Sequence, residues 1–363
     1  MIGFLTAGLL LGAICLDVVS DGGADRSGIS EATEAVQGCL TRVAEAGGGE
    51  VVFPPGTYRI SSLSIGANTH VKLAGGAQMA CCGYDRAIQD SAADPAHSAI
   101  IRPTGKGYCG IFFYNLVPPD WMTNGASRIS VSGGVFECEG RAKVAAIVCA
   151  KGVVLENMVV KDLPDHAFQI GGCSDVVITN CLFAGYRYKP GLRSLTGETI
   201  QLETTSPLAI WASNPTHSPI LCPEGDYRPN KNVTIANCWF GPSENNGPHI
   251  VPIGHHCAQR SCDGLQILGN VFVDPWCAAL RIANWVNVTV SGNRFIAMRP
   301  CAALAHESAL VSVIGGKALN PGERGIRFHG NSFELADGAN YPVLWVSPER
   351  FDEIVQHPIP LPR

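Results

Sequence analysis

The hydrophobic and polar positions in the second half of the chain repeat in a short phrase, apolar-x-apolar-x-Asn-x-x-Phe. Alternation of apolar and polar residues is the period of a β-strand, and Asn is a residue that favours a bend. Copies of the phrase lie at residues 176–183, 233–240, 265–272, 288–295 and 326–333. Weaker copies lie at 129–136 and 153–160. One strand–bend–strand unit that recurs in this way predicts a coil that adds a turn with each repeat.

A helical pattern precedes the repeats, between Ser30 and Ala46. Ser30 stands where an N-terminal cap is expected, Glu31 follows it as an acidic residue of the first turn, and the glycines at 47–49 would end the helix. One face of this helix would be formed by the apolar residues Ala32, Val36, Leu40 and Val43. We therefore predict a helix over about residues 30–46.

The residues on either side of this helix carry a resemblance to a known family. Asp-Gly-Gly-Ala-Asp at 21–25 precedes the helix, and Val-Val-Phe-Pro-Pro-Gly-Thr-Tyr at 51–58 follows the glycines. Together with the Asn repeats, this run resembles the N-terminal cap and first coil of pectate-lyase-like right-handed parallel β-helix proteins. The resemblance covers most of residues 17–335. It implies an all-β solenoid, a right-handed parallel β-helix, with an N-terminal capping α-helix.

The same superfamily includes polygalacturonases, polysaccharide lyases, fructan transferases, epimerases and phage tailspikes, so the resemblance implies a fold rather than one function. The polygalacturonase motifs Asn-Thr-Asp, Asp-Asp, Gly-His-Gly and Arg-Ile-Lys are absent from this sequence. Function must therefore be argued from the polar residues that the coil would bring together.

The repeats predict one continuous domain, although 363 residues could also form two. We place this domain at residues 17–350. Residues 1–16 form an apolar leader that resembles the core of a signal segment but suits a first strand equally well. Residues 351–363 form a Pro-rich tail. A signal segment would make the protein secreted or extracellular.

Composition narrows the choice of partners. Hydrophobic residues make up 46% of the chain and charged residues 16%, which suits a long core of strands. A net charge of −5 without a basic run disfavours nucleic acid as a partner. Cys181 and Cys238 share one position of the repeat, as expected of small buried side chains. We predict no metal or other cofactor, and a monomer or a homotrimer.

The strands that precede the Asn repeats carry the candidate chemistry. Four apolar pairs align these strands, namely Phe168/Ile170, Ile200/Leu202, Val251/Ile253 and Leu280/Ile282. Successive turns of a parallel coil are ~4.8 Å apart, so residues at equivalent positions become neighbours. One predicted row holds His166, Glu198 and His249 at the rim of the outer face. The outward positions would hold Gln169, Gln201, Glu203 and Arg281.

Hydrolysis of a glycosidic bond usually needs two carboxyl groups, ~5–5.5 Å apart for retention or ~6.5–9.5 Å apart for inversion. Asp165 and Glu198 fit this spacing, because one turn and one residue of offset put their backbones about 6 Å apart. Glu203 lies roughly 16 Å from Glu198 along the strand, which is too far. A close pair would raise the pKa of one carboxyl group, as an acid catalyst requires.

We therefore predict an enzyme that cleaves a glycosidic bond of an oligo- or polysaccharide, a hydrolase or transglycosylase. Asp165 and Glu198 would be its carboxyl pair, with His166 and His249 handling protons. The predicted substrate-binding residues are Gln169, Gln201, Glu203, His255, Arg281 and Trp211, the last on a long insertion between repeats.

Two alternatives remain open. A polysaccharide lyase would use Arg281 to neutralise a uronate, with His249 or His255 as the base. A non-catalytic glycan-binding module, such as a phage tailspike, would use the same face without turnover. Structural roles are also open, because Asp165 could cap a turn, Glu198 could pair with a histidine and Arg281 could pair with a surface acid.

Overall fold

Each turn of the chain adds one strand to each of three parallel sheets, and the turns stack into a right-handed parallel β-helix. The predicted fold class is therefore confirmed. The structure is a computed structural model. It describes residues 13–77, 94–106, 110–115, 125–187, 197–205, 227–255, 260–299, 309–314, 322–337, 339, 342–348 and 354–356.

The secondary structure consists of strands and one N-terminal helix in the part of the chain described. In chain order, the first elements are β1 (Ile14–Asp17), β2 (Ser27–Glu31), α1 (Thr33–Glu45), β3 (Gly49–Phe53), β4 (Gly56–Ile60), β5 (Leu63–Ile65), β6 (Thr69–Leu73), β7 (Ala99–Pro103), β8 (Gly110–Asn115), β9 (Ile129–Gly133) and β10 (Val135–Glu137). There follow β11 (Ala142–Val148), β12 (Lys151–Glu156), β13 (Val159–Leu163), β14 (Phe168–Gly171), β15 (Ser174–Thr179), β16 (Leu182–Tyr186), β17 (Glu198–Glu203), β18 (Asn230–Ala236), β19 (Trp239–Gly241) and β20 (Val251–Gly254). The last are β21 (Cys262–Leu268), β22 (Val271–Val273), β23 (Leu280–Ala283), β24 (Val286–Ser291), β25 (Arg294–Ala297), β26 (Val311–Ile314), β27 (Ile326–His329), β28 (Ser332–Leu335), β29 (Leu344–Val346) and β30 (Ile354–Gln356).

The three sheets take their strands in rotation. The first sheet runs β1-β3-β6-β9-β12-β15-β18-β21-β24-β27-β30, and the second runs β2-β4-β7-β10-β13-β16-β19-β22-β25-β28. The third sheet contains β5, β8, β11, β14, β17, β20, β23, β26 and β29 in that spatial order. This third sheet carries the polar residues discussed below.

The apolar positions of the repeat fill the interior of the coil. In the first sheet Val176 pairs with Val233, and Ile178 pairs with Ile235, so the inward residues of successive turns are stacked. The Phe of the repeat forms a continuous column, Phe183, Phe240, Phe272, Phe295 and Phe333, with ring centroids 4.7, 5.2, 5.0 and 5.0 Å apart. Stacked rings that bury most of their surface supply much of the core's apolar contact.

The Asn of the repeat occupies two different positions, which the single predicted phrase did not separate. Asn180 and Asn237 adopt a left-handed conformation, with φ of 54° at each, and make the bend between sheets. In later turns a Gly takes this place, as at Gly269 with φ of 62°. The Asn then comes one residue later and points inward, as Asn270 and Asn293 do. Asn and Gly are the residues that tolerate this backbone conformation best.

The inward Asn residues form a hydrogen-bonded ladder inside the bend. The Oδ1 of Asn293 accepts from the backbone N–H of Asn270 at 2.9 Å, and from its side-chain amide at 3.0 Å. The amide of Asn293 donates to the carbonyl of Ile267 and to Oδ1 of Asn331, both at 2.9 Å. In the turns that carry Asn270, Asn293 and Asn331, each turn therefore satisfies buried polar groups of the turn beside it.

Helix α1 covers the N-terminal end of the coil, as predicted, and buries Val36, Leu40 and Val43. Its Gln37 side chain accepts from the backbone N–H of Ser64 at 2.8 Å and donates to the Ser64 carbonyl at 3.2 Å. Ser64 lies on β5, the edge strand of the third sheet, so the helix satisfies part of an edge that would otherwise be open.

The predicted start of the helix is wrong by a few residues. Ser30 and Glu31 belong to β2, and Glu31 pairs with Arg59 of β4. The residue at the N-cap is Ala32, which makes no side-chain capping bond. The pairing of β2 with β4 outweighs the capping preference of Ser30, because it holds the backbone of Ser30 in an extended conformation.

Both ends of the predicted domain extend further than expected. Ile14–Asp17 forms β1 and pairs with β3, so the end of the predicted apolar leader belongs to the first sheet. Ile354–Gln356 forms β30 and pairs with β27, so part of the predicted tail continues the same sheet. Within the described ranges, no helix is long and apolar enough to cross a membrane.

Replacing Asn293 with Ala should destabilise the coil strongly. The change removes both acceptor and donor functions from the ladder and leaves buried groups of Asn270 and Ile267 without this partner. We expect the free energy of unfolding to fall by about 2–4 kcal/mol, measured by chemical denaturation. Asn245→Ala, on an exposed loop, is the control and should change it by less than ~0.5 kcal/mol. Equal effects of the two substitutions would show that the ladder does not stabilise the fold.

Candidate functional site

Polar side chains form an outward row on the third sheet. Gln169 pairs with Gln201, Gln201 with Gly254, and Gly254 with Arg281. Their neighbours along each strand, such as Ile200 and Leu202, belong to the core, so alternation turns the row outward. The predicted alignment of Gln169, Gln201 and Arg281 is confirmed.

Strand β20 is shifted by two residues from its predicted register. Glu198 pairs with Val251, and Ile200 pairs with Ile253, whereas we had aligned Leu202 with Ile253. A shift of two residues leaves every side chain on the same face of the sheet, so the hydrophobic pattern cannot detect it. The consequence is that Gly254 lies between Gln201 and Arg281.

His166 lies beside Glu198 as predicted, but His249 does not. The Nδ1–H of His166 donates to the backbone carbonyl of Glu198 at 2.5 Å. Val251 occupies the place beside Glu198 where His249 was expected. The predicted stack of two imidazoles around Glu198 is therefore wrong, and only one of the two histidines lies against it.

His249 is a buried structural residue. Its Nε2–H donates to the carbonyl of Phe183 at 3.0 Å, its Nδ1 accepts from the Thr199 hydroxyl at 2.7 Å, and its ring packs against Phe240 and Tyr186. Burial lowers the pKa of His249 to about 4. Both ring nitrogens are engaged within the protein, so this arrangement does not support the proton-handling role predicted for His249.

Asp165 is the accessible carboxylate of the site. Its Oδ2 lies 2.9 Å from Nζ of Lys143, and its Oδ1 lies 3.5 Å from Nε2 of His166. Burial raises the pKa of Asp165, but the charges of His166 and Lys143 outweigh it, and the net shift is downward. Asp165 is therefore ionised at neutral pH, and the raised pKa predicted for an acid catalyst is not found on it.

Glu198 is enclosed, with 0% of its side chain exposed, and its Oε1 accepts from Nη1 of Arg281 at 3.3 Å. Burial raises the pKa of Tyr186, and the charges of Asp165 and Glu198 add to that shift. The pairing of Asp165 and Glu198 as two catalytic carboxyl groups stays a prediction. Arg281 stabilises the charged form of Glu198, as a buried carboxylate requires.

Gly254 makes the contact between Glu198 and Arg281 possible. A Cβ atom at Gly254 would lie 2.8 Å from Cγ of Glu198 and 3.1 Å from Cβ of Arg281. Either distance is too short for an undisturbed side chain. The absence of a side chain in the middle of the outward row thus gives Glu198 and Arg281 room to meet across two turns.

A second buried pair lies at the end of β17. Oε1 of Glu203 accepts from Nε2–H of His255 at 2.8 Å, and both residues are almost fully enclosed. The structure therefore brings together two predicted substrate-binding residues. Trp211, the remaining predicted binding residue, lies outside the described residues.

Three residues of this region were not predicted: Lys143, Tyr186 and Gly254. A Lys within the apolar run of β11 and a Gly within β20 both depart from the pattern of a buried strand, and either departure could have pointed to the site. Tyr186 approaches β17 closely, because a Cβ at Gly197 would lie 2.6 Å from its hydroxyl oxygen. No sequence pattern identified this tyrosine. In the parts of the chain described, no group of three or more His, Cys, Asp or Glu side chains could hold a metal ion.

Comparisons with known proteins bear on the fold. No family model matches the chain. Over 303 residues the chain is 27% identical to the plasmin and fibronectin-binding protein A of Streptococcus pneumoniae, a match that covers 76% of this chain. The chain spans only 38% of that relative's length.

Solved structures show the same architecture. The crystal structure of PfbA, a surface adhesin of Streptococcus pneumoniae, matches 94% of this chain and 78% of its own, with a TM-score of 0.66 and 22% identity. A tailspike protein mutant of E. coli bacteriophage HK620, solved with a pentasaccharide, matches 91% of this chain and 59% of its own, with a TM-score of 0.50 and 11% identity. The chain is thus a parallel β-helix protein by fold.

The burial of His249 predicts a specific acid sensitivity. Between its ordinary pKa of 6.5 and its folded pKa of about 4, the unfolded chain binds a proton that the folded chain excludes. The free energy of unfolding should therefore fall as the pH is lowered through this window, by about 1.4 kcal/mol per pH unit from this group. Denaturation of the parent and of His249→Gln from pH 7 to pH 4.5 should show a shallower slope in the variant. His329→Gln, at an exposed histidine, should keep the parental slope. Parallel slopes for all three proteins would contradict this account of His249.

Proposed function

We propose that this chain is a carbohydrate-active enzyme that cleaves a glycosidic bond on the outer face of the third sheet. The observation that carries the proposal is the link that His166 makes between the two carboxyl residues: its Nδ1–H donates to the backbone carbonyl of Glu198 at 2.5 Å, and its Nε2 lies 3.5 Å from Oδ1 of Asp165. Around them, ionic and amide side chains are buried on a face that points away from the core. Buried charges are costly for folding alone, and they are common where chemistry is performed.

The two carboxyl groups would have different roles. Asp165 is ionised and 38% exposed, so it suits the base that activates water or the nucleophile that attacks the sugar. Glu198 is enclosed and paired with Arg281, which favours its charged form. To act as the acid it would first take up a proton from water, once substrate binding has displaced Arg281, and would then donate that proton to the leaving oxygen. His166 orients Glu198 through its backbone carbonyl, and Gln169, Gln201, Glu203 and His255 would line the sugar site.

The wider setting of the chain is also a proposal, which the comparisons support in part. We propose that the chain belongs to the pectate-lyase-like group, with residues 17–350 as its solenoid. The likeness to a pneumococcal surface adhesin favours a secreted or surface location. We propose that the chain is a monomer or a homotrimer.

A second candidate function is an adhesin without turnover. It is favoured by the 27% identity to the plasmin and fibronectin-binding protein. Immobilised plasmin and fibronectin would test this directly, because an adhesin of that kind should bind one of them whether or not Glu198 is intact. A lyase is less favoured, since Arg281 already contacts Glu198 and is less available to neutralise a uronate.

Glu198→Gln should abolish cleavage while leaving binding in place. The substitution keeps the shape and removes the proton donor, so we expect kcat to fall by on the order of 10²–10⁴-fold with little change in ligand affinity. Reducing-end release from a panel of neutral and acidic glycans, with calorimetric binding of the glycan that is cleaved, measures both quantities. Glu156→Gln, on the first sheet, is the matched control and should keep full activity.

Two outcomes would overturn the proposal. Equal turnover by the parent and Glu198→Gln would exclude an essential role for this carboxyl group. Appearance of an unsaturated uronate product, detected by its ultraviolet absorbance, would assign the chain to the lyases instead.

A further inference from the structure

Two amide side chains in the outward row hold acceptor oxygens that no described residue satisfies. Gln169 is 4% exposed and Gln201 is 3% exposed, so both are more than nine-tenths buried. The Oε1 atoms of both lack a hydrogen-bond partner. Buried polar atoms are nearly always satisfied in folded proteins, and each one that is not costs stability. Two such atoms side by side call for an explanation.

Their placement points to a single ligand. Gln169 and Gln201 are register partners on β14 and β17, so they are separated by one turn of the coil, ~4.8 Å. Next along the row comes Gly254, whose missing side chain leaves room for Glu198 and Arg281 to meet, and then Arg281 itself. An extended ligand that lies parallel to the axis of the coil would pass over these positions in order.

The charges on the outer face of the third sheet determine which kind of ligand would bind there. Lys143 already contacts Asp165 at 2.9 Å, and Arg281 already contacts Glu198 at 3.3 Å. A third carboxylate, Glu203, accepts from His255. Among the described residues of this face, the three carboxylates Asp165, Glu198 and Glu203 outnumber the cations Lys143 and Arg281 that pair with them. A polyanionic chain would therefore meet a net negative charge and acceptor oxygens.

We infer that Gln169 and Gln201 form a subsite for a neutral glycan, whose hydroxyl groups on neighbouring positions donate to the two Oε1 atoms. This inference rests on the proposed function and specifies its substrate class. A sugar hydroxyl supplies the missing donor and carries no charge. Sites built to hydrogen-bond a hydroxyl group reject ligands that lack it, because the buried partner is then left unsatisfied. The two glutamines would thus determine specificity against polyuronates and sulfated glycans.

The test measures binding in the full chain with Glu198→Gln as background, so that turnover does not interfere. The probes are neutral hexasaccharides of glucose, mannose, galactose and xylose, and an oligogalacturonate of the same length, each titrated by calorimetry. We expect a neutral probe to bind and the oligogalacturonate to bind at least ~10-fold more weakly. Tighter binding of the oligogalacturonate, or binding of none of the probes, would overturn the inference.

Substitutions of the two glutamines test the subsite itself. Gln201→Leu and Gln169→Leu remove the acceptor and should each weaken binding of the neutral probe by about 10-fold. Gln201→Glu keeps an acceptor oxygen and should lose much less, whereas a loss as large as that of Gln201→Leu would show that the amide donates instead. Gln266→Leu, at an exposed position on the first sheet, is the control and should bind as the parent does. Unchanged binding in both Leu variants at Gln169 and Gln201 would exclude the subsite.

These outcomes are separate from those that test cleavage. Glutamine-dependent binding of a neutral glycan without turnover in the parent would retain the subsite and remove the enzymatic proposal. Turnover that is insensitive to both glutamines would retain the enzyme and remove the subsite.

Discussion

Register between successive turns is the constraint on which the rest of the structure depends. Each strand pairs with the equivalent strand one turn later, so residues far apart in sequence become neighbours. Glu198 and Arg281 are separated by 83 positions, yet their side chains meet on the outer face of the third sheet. A register error of one residue would turn Arg281 into the core, where an unpaired charge would be very costly. The bends with left-handed Asn and Gly keep the turns equivalent and so preserve this alignment.

The polar patch of the third sheet differs from the rest of the solenoid in how it uses buried groups. The Asn ladder satisfies its own donors and acceptors, and it stabilises the bend. The patch instead buries ion pairs, and the Oε1 atoms of two of its glutamines find no hydrogen-bond partner among the described residues. An apolar outer face would leave the folded state as stable or more stable, because replacing a buried ion pair by packed apolar residues is often neutral or stabilising. This difference from the ladder is the reason that we propose a ligand-binding role for the patch.

The sequence alone was sufficient for the fold and for part of the site. The period of the repeats predicted the parallel coil, and the apolar pairs predicted that Gln169, Gln201 and Arg281 would share a row. The pattern could not place β20, because a period of two is unchanged by a shift of two residues. That ambiguity put His249 beside Glu198, where Val251 lies. It also concealed Gly254, whose importance depends on contacts between side chains from different turns.

Two predictions based on the conformational preferences of single residues were also wrong. Ser30 is a residue type that favours the N-cap of a helix, but the pairing of β2 with β4 places it in a sheet. The repeat phrase predicts one structural position for its Asn. The structure has two, because either Gly or Asn can make the left-handed bend. Residue preferences alone could not settle either position, because contacts with neighbouring strands and turns determine the conformation that each residue adopts.

The central claim is that a neutral glycan lies along the outward row of the third sheet, over the carboxyl pair. A crystal structure of Glu198→Gln with the oligosaccharide that the parent cleaves would test it most directly. The account predicts a sugar chain along the axis of the coil, with hydroxyl groups on Oε1 of Gln169 and Gln201 and the scissile linkage between Asp165 and residue 198. A sugar bound to either of the other two sheets would contradict it.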